Sequence, residues 1–280
     1  MSDEGGSVET TQQCVAAILD GLGGRTAIAA RRAPMRRDAE AEETARLRAD
    51  EVFPAGQLAS LPIAVEVLRR ADLGQFSLSE PMDIARMPPV EDGPLEDSPL
   101  GDGEIMDGAT DAEPTIGDLC ARMIGVNDAT AANVLLEYVG MGEINETLSR
   151  LKLGRTKLAR QFTDGAARDT RRENVTSADD MLTLLTLIHG RALPGSQRLL
   201  GMLSAQLAPD DLAEAWLPTE ARLARCGAAQ GDLVHDAGVL TGPGGACVYC
   251  ILTAEQPNVA AARAAIGQTL RLLWTDWRLG

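Results

Sequence analysis

The sequence predicts an α+β protein with one five-stranded antiparallel sheet, flanked by terminal helices and joined to an all-helical lobe. The hydrophobic patterns run in the order helix, two strands, a helical middle, three strands and a final helix. Two strands near one end and three near the other most simply form one sheet. A chain of 280 residues with 45% hydrophobic residues suffices for one large packed unit. We expect a single domain over 1–280, with an α/β lobe (1–56 and 208–280) and a helical lobe (57–207).

The first elements follow from apolar spacing. Residues 8–22 carry a helical stripe, and residues 26–31 and 44–48 have the pattern of paired strands. Residues 58–70 are almost continuously apolar, which predicts a helix that is buried on nearly all sides.

The middle of the chain alternates helical patterns with polar segments. Residues 81–114, rich in proline and acids, predict a long surface excursion, and residues 152–175 predict a loop. A capping-box pattern at 176–179 starts one of the helices. The helices are predicted at 115–124, 128–139, 144–151, 176–188, 194–207 and 257–277, and the last three strands at 221–226, 233–240 and 246–252.

Charge and composition exclude several partners. Asp and Glu number 41 against 26 Lys and Arg, for a net charge of −15, which argues against nucleic acid or an anionic membrane surface. Aromatic residues make up 3%, too few for base-stacking platforms. No apolar run approaches the length of a membrane span.

The cysteines and histidines indicate a reducing compartment and no metal. Five dispersed cysteines do not suit a disulfide framework, and the N-terminus lacks the cationic region of a secretory signal, so we expect a cytoplasmic protein. Cys247 and Cys250 lie three apart in a predicted strand and should face opposite sides. His189 and His235 have no ligand spacing around them, so neither a metal nor a cofactor is predicted.

Four groups of segments resemble a known superfamily. Their order and spacing over residues 25–278 are similar to class A serine β-lactamases, penicillin-binding transpeptidases and their non-lactamase relatives. This resemblance implies the β-lactamase/transpeptidase-like fold. The segments are 53–62, 115–124 with 126–133, 173–177 with 180–181, and 224–227 with 235–239.

The resemblance also shows which motifs are replaced. The family performs acyl transfer with a serine in an S-x-x-K motif, supported by S-D-N, K-T-G and a loop glutamate. Here the nucleophile position reads Gln57 and the lysine position reads Ser60. Residues 127–129 read N-D-A in place of S-D-N, and residues 225–227 read R-C-G in place of K-T-G.

These replacements remove the nucleophile and the base together. A glutamine amide is not nucleophilic, and a serine hydroxyl has no basicity near neutral pH. The loop glutamate has no clear counterpart in 155–174, where Gln161, Asp164 and Glu173 are the candidates. Because losing one part of such a coupled set already costs orders of magnitude in rate, we expect the acyl-enzyme route to be absent.

Each remaining cleft residue has a functional and a structural interpretation. Arg225 is either a bidentate anchor for a carboxylate or an ion-pair partner of Asp232 or Asp236. Cys226 is either a thiol activated by Arg225 or a thiol that faces away from it, since strand neighbours point to opposite faces.

The other three residues also have two interpretations each. Gln57 either binds a ligand or bonds to its own surroundings. Ser60 is either a relocated nucleophile or a buried hydroxyl bonded to a backbone carbonyl. Asn127 either binds a ligand or caps the helix after it. For Glu173, a role in holding the loop together is favoured over catalysis.

Three hypotheses of function follow for a cleft between the lobes. The first is a repurposed enzyme that binds and transforms a small carboxylate- or amide-bearing metabolite in a non-hydrolytic biosynthetic step. The second is a non-catalytic pseudoenzyme that binds a metabolite or a partner protein. The third is a hydrolase or acyltransferase that uses Cys226 or Ser60. Catalytic candidates are Ser60, Cys226 and Asp164; the predicted ligand-binding residues are Gln57, Ser60, Asn127, Arg225 and Cys226.

Overall fold

The computed structural model describes residues 4–33, 42–82, 113–163, 172–206, 215–243 and 245–279. Its helices are α1 (Glu4–Asp20), α2 (Ser60–Asp72), α3 (Ile116–Gly125), α4 (Ala129–Val139), α5 (Met141–Arg150), α6 (Ala178–His189), α7 (Ser196–Ser204) and α8 (Val259–Leu279). Its strands are β1 (Arg25–Ala33), β2 (Glu42–Leu47), β3 (Phe53–Pro54), β4 (Val175–Thr176), β5 (Arg222–Gln230), β6 (Leu233–Gly242) and β7 (Gly245–Ala254).

Five strands form the predicted antiparallel sheet in the order β2-β1-β7-β6-β5. The two N-terminal strands join the three C-terminal ones through β1, which pairs with β7 over its whole length. Strand β5 is therefore one edge of the sheet and β2 is the other. The predicted fold class is confirmed. The lobe boundaries at 56/57 and 207/208 stay a prediction.

The two faces of the sheet bury different layers. Side chains such as Tyr249 and Ile251 pack against the terminal helices α1 and α8. Their strand neighbours, such as Val248 and Cys250, pack against the helical part of the chain. The alternation follows from the two-residue period of a strand, and it places Cys247 and Cys250 on opposite faces, as expected.

Helix α2 is the central element of the helical part. The prediction of a helix buried on nearly all sides is confirmed, because every residue from Ser60 to Leu68 is buried. A short 3₁₀ turn, Gly56–Ala59, precedes it, so the α-helix begins two residues later than predicted. Glu66, an unpredicted buried carboxylate, accepts hydrogen bonds from Arg69, Arg70 and Thr147.

Side-chain caps start the helices near the predicted positions. Thr115 and Asp118 form a reciprocal capping box at the start of α3. Helix α6 is capped by Ser177, whose hydroxyl accepts from the Asp180 N–H, so the predicted box at 176–179 is wrong by one residue. In both cases the cap supplies an acceptor to N–H groups that have no partner inside the helix.

The two polar segments are only partly within the described chain. Most of the predicted excursion, residues 83–112, lies outside it; its two ends meet where the Met82 N–H donates to the Pro114 carbonyl. Within the predicted loop 152–175, β4 pairs with β3, and Lys157 bridges to Val175. In the described parts of the chain, no helix has the length and apolarity to cross a membrane.

Candidate ligand site between the edge strand and the start of the buried helix

The turn before α2 is held by a buried histidine. The His235 Nδ1 accepts from the Thr253 N–H at 3.2 Å, so its Nε2 carries the proton and donates to the Pro54 carbonyl at 2.8 Å. Burial lowers the pKa of His235, which keeps the ring neutral. Gly56 packs beside this ring at a positive φ of 50°, a conformation that suits glycine. His235 thereby positions the turn that carries Gln57.

Gln57, which the sequence resemblance assigns to the nucleophile position, is bonded to its own surroundings. It is half-buried, and its Nε2 donates to the Met123 carbonyl at 3.3 Å. That carbonyl belongs to the last turn of α3, whose C=O groups lack partners within the helix. The amide therefore links the start of α2 to the end of α3.

Ser60, which the sequence resemblance assigns to the lysine position, forms a buried, neutral contact with Cys226. The Ser60 hydroxyl donates to the Gln57 carbonyl at 2.8 Å, and its oxygen lies 3.6 Å from the Cys226 sulfur. Both residues have no exposed surface. Burial raises the pKa of Cys226 to about 12, so its sulfur is a thiol and not a thiolate at neutral pH. Neither group is activated as a nucleophile by these contacts.

A network of two carboxamides joins the helical part to β5. Asn127 adopts a left-handed conformation (φ 59°), which asparagine tolerates, and its Nδ2 donates to the Gly227 carbonyl at 3.3 Å. Gln206 donates to the Asn127 Oδ1 at 3.2 Å and accepts from the Gly227 N–H at 3.2 Å. The helix-capping interpretation of Asn127 is wrong, since Asp128 is the residue that caps α4.

Arg225 lies on the opposite face of β5 from these residues. Its neighbours Ala224 and Cys226 pack toward the helical part, whereas Leu223, two residues away, packs toward the terminal helices. The Arg225 Nε lies 3.4 Å from an Asp236 carboxylate oxygen, and Asp236 also accepts from the Tyr249 hydroxyl at 2.7 Å.

The predicted ligand-binding role of Arg225 in the cleft is therefore not supported, and the alternative, an ion pair with Asp236, is what the structure shows. Glycines make room for this pair. A Cβ on Gly238 would lie 2.8 Å from the Arg225 Cα, and one on Gly227 would lie 3.0 Å from the Asp236 carboxylate. The side chain that faces the start of α2 from β5 is Cys226, the second residue of the R-C-G segment.

None of the predicted candidates for a loop base is shown to reach the start of α2 among the residues that the structure describes. The Glu173 carboxylate accepts from Arg160 at 2.7 and 2.9 Å, in agreement with its interpretation as a loop-stabilising residue. Gln161 is exposed. Asp164 lies outside the described residues. Phe162, which follows Gln161, is bound to α4 by two hydrogen bonds: its N–H donates to the Asn133 Oδ1 at 2.7 Å, and its carbonyl accepts from the Asn133 Nδ2 at 3.1 Å.

A cavity lies away from this site. It measures about 280 Å³ and lies between the β1–β2 edge and α6, where Arg46 and Asp179 form an ion pair. The strand order places it at the opposite edge of the sheet from β5. Among the described residues, no group of three or more His, Cys, Asp or Glu is arranged to hold a metal ion.

Comparisons with known proteins agree with this architecture. Residues 15–277 match the model of the β-lactamase enzyme family. The chain therefore belongs to the β-lactamase enzyme family, as the sequence resemblance predicted. No curated protein matches the chain.

Solved structures share the fold over nearly the whole chain. A β-lactamase from Sphaerobacter thermophilus is 23% identical with a TM-score of 0.77, covering 98% of this chain and 97% of its own. A class A β-lactamase representative from Bacteroides cellulosilyticus is 17% identical with a TM-score of 0.82, covering 98% and 99%. PBP-A is 21% identical with a TM-score of 0.78, covering 97% of each chain. At these identities the likeness shows the fold alone.

Of the predicted ligand-binding residues, the structure places Ser60 in contact with Gln57 and Cys226, and Asn127 in contact with Gly227. Arg225 faces the other side of β5. That these residues bind a ligand stays a prediction. Gln206 and the support from His235 were missed. Gln206 belongs to no motif, and its approach to β5 depends on how α7 packs, which a local pattern does not encode.

Proposed function

We propose that this chain is a non-catalytic member of its family that binds a small, neutral, amide-bearing ligand between β5 and the start of α2. The observation that carries the proposal is the Gln57–Ser60–Cys226 arrangement. The sequence resemblance assigns an amide to the nucleophile position, and beside it a hydroxyl and a thiol are both buried. Such a site has hydrogen-bonding capacity but no activated attacking group.

The polar groups of the site favour an amide over a carboxylate. Gln57 and Asn127 present carboxamides, and Gly227 presents backbone groups that already bond to carboxamides. Amides both donate and accept, which suits a ligand with the same two capacities. The cation expected to anchor a carboxylate, Arg225, faces the other side of β5. The metabolite of our first hypothesis is therefore narrowed to the amide-bearing class.

Binding is favoured over chemical transformation because of the ionisable groups. Within the part of the chain that the structure describes, those that bond to the start of α2 or the turn before it are Cys226, with a pKa of about 12, and His235, with a lowered pKa and both nitrogens engaged. Neither is poised for proton transfer near neutral pH. A biosynthetic step, or acyl transfer through Cys226 or Ser60, would need a base that these contacts do not supply.

Thermal unfolding with two matched probes tests the proposal. We expect N-acetylalaninamide, which is neutral, to raise the melting temperature, and N-acetylalanine, its carboxylate counterpart, to raise it less. At ten times its dissociation constant a ligand stabilises the native state by about 1.4 kcal/mol. Gln57→Ala should weaken the effect, whereas Gln197→Ala, at an exposed position on α7, should not. Equal shifts with both probes, or none, would contradict the proposal.

We also propose a cytoplasmic location. All five cysteines are free, and four of them are buried, with Cys14 exposed. Reduced thiols suit a reducing compartment. Cell fractionation followed by immunodetection would test this, and recovery with an extracytoplasmic fraction would contradict it.

A further inference from the structure

Gly227 on the edge strand has its backbone groups occupied by side-chain carboxamides. Its N–H donates to the Gln206 Oε1 at 3.2 Å, and its carbonyl accepts from the Asn127 Nδ2 at 3.3 Å. Strand β6 lies on one side of Gly227, and β5 is the last strand of the sheet. The bonds to Gln206 and Asn127 therefore lie on the outer side of β5. Backbone N–H and C=O groups on the outer side of an edge strand are the groups with which an extended amide can pair.

Capping of α3 explains only one of the three hydrogen bonds that Gln206 makes. Its Nε2 donates to the Ile124 carbonyl at 3.1 Å, which satisfies a C=O group in the last turn of α3. The same nitrogen donates to the Asn127 Oδ1 at 3.2 Å. The carbonyl end is directed to the Gly227 N–H, which is not part of α3. The amide of Gln206 thus bridges the helical part and β5, as a bound amide ligand would.

The hydrogen bonds of the Gln206 carboxamide are suited to replacement by those of a ligand. All three are 3.1–3.2 Å long, at the long end of the normal range for N–H···O contacts. Gln206 is only half-buried, so its side chain has access to solvent when it leaves. The net cost of replacing such a bond by an equivalent one is small.

We propose that Gln206 is an internal competitor for the ligand: its carboxamide occupies the position on β5 that the amide of a ligand takes, and it must leave for binding. The inference rests on the proposed function. It also defines the ligand further. A replacement for Gln206 must accept from the Gly227 N–H and donate toward the Asn127 Oδ1 or the Ile124 carbonyl. An amide does both, whereas a carboxylate would set its oxygens against two acceptors.

Titration of N-acetylalaninamide, followed by the backbone amide resonances of ¹⁵N-labelled full-length protein, tests this. We expect Gln206→Ala to bind the probe about tenfold more tightly than the unmodified chain, because one net hydrogen bond of competition is removed. The Gly227 resonance should shift in both proteins. Gln206→Glu, which keeps the side-chain length but loses both donors, should also bind more tightly, and it serves if the alanine variant is poorly folded.

Gln197→Ala is the matched control, because it removes an exposed carboxamide from the neighbouring helix and should bind like the unmodified chain. Equal affinity of all variants would overturn the role of Gln206 and leave the proposed function standing. Weaker binding by both Gln206 variants would make Gln206 part of the ligand contacts and would likewise overturn it. Absence of binding by every variant would overturn both the competition and the proposed amide ligand.

Discussion

Replacing Glu66 by alanine is expected to lower the free energy of unfolding by about 3 kcal/mol, the low end of the range for breaking a buried ion pair. The Glu66 side chain has no exposed surface, and it accepts from Arg69, Arg70 and Thr147 at 2.6–2.8 Å. Its loss leaves two guanidinium groups and a buried hydroxyl without this acceptor. Chemical denaturation measured by circular dichroism checks the value.

Glu143→Gln is the matched control for this variant. Glu143 also pairs with Arg70, at 3.2 Å, but its side chain is 59% exposed. Exposed ion pairs contribute between zero and about 1 kcal/mol, so this change should cost less than 1 kcal/mol. A comparable loss in both variants would contradict the account of Glu66.

The same carboxylate predicts a dependence of stability on pH. Burial alone would raise the pKa of Glu66, but hydrogen bonds from Arg69, Arg70 and Thr147 outweigh it and hold the pKa below its usual value. The native state therefore favours the ionised form, and this contribution is complete above the usual glutamate pKa. It should be lost as the pH falls below about 4 through the folded pKa. Glu66→Gln should lack this part of the acid sensitivity.

Asp236→Asn is expected to lower the free energy of unfolding by about 3 kcal/mol, because it breaks the ion pair with Arg225. This pair lies on the face of the sheet that packs against α1 and α8. Asparagine keeps the shape but removes the charge beside Arg225, whose side chain is 11% exposed. The Tyr249 hydroxyl, fully buried, also donates to this carboxylate. Equilibrium unfolding in urea measures the loss.

Asp232→Asn, at an exposed position in the turn between β5 and β6, is the control and should change stability by less than about 0.5 kcal/mol. A double-mutant cycle with Arg225→Met measures the coupling energy of the ion pair, because either single substitution already removes the interaction. A coupling energy near zero would show that Arg225 and Asp236 do not stabilise each other.

Most of the fold was predictable because its signals are local or repeated. The strands β5, β6 and β7 are separated by glycine-rich turns, and α2 is marked by a continuous apolar run. The caps at Thr115 and Ser177 were also found, the second within one residue. Each of these depends on short-range chemistry that the residue types carry with them.

The side-chain directions at the site were harder to predict. Motif spacing placed Arg225 at the cleft, but a shift of one residue along a strand moves a side chain to the other face. The face that Arg225 occupies is shown by its partner on β6. Asp236 lies on the same face as Arg225, and Gly238 makes space for the pair. Gln206 was missed because its contact with Gly227 depends on the packing of α7 against β5.

Intact-mass spectrometry after incubation with penicillin G tests the central claim most directly, namely that the start of α2 carries no group able to attack an acyl donor. A PBP-A mutant whose structure is described as an acyl-enzyme complex with penicillin G is the positive control. We predict that the mass of this chain stays unchanged under conditions in which the control gains the mass of the drug. A stoichiometric adduct that peptide mapping places on Ser60 or Cys226 would contradict the account.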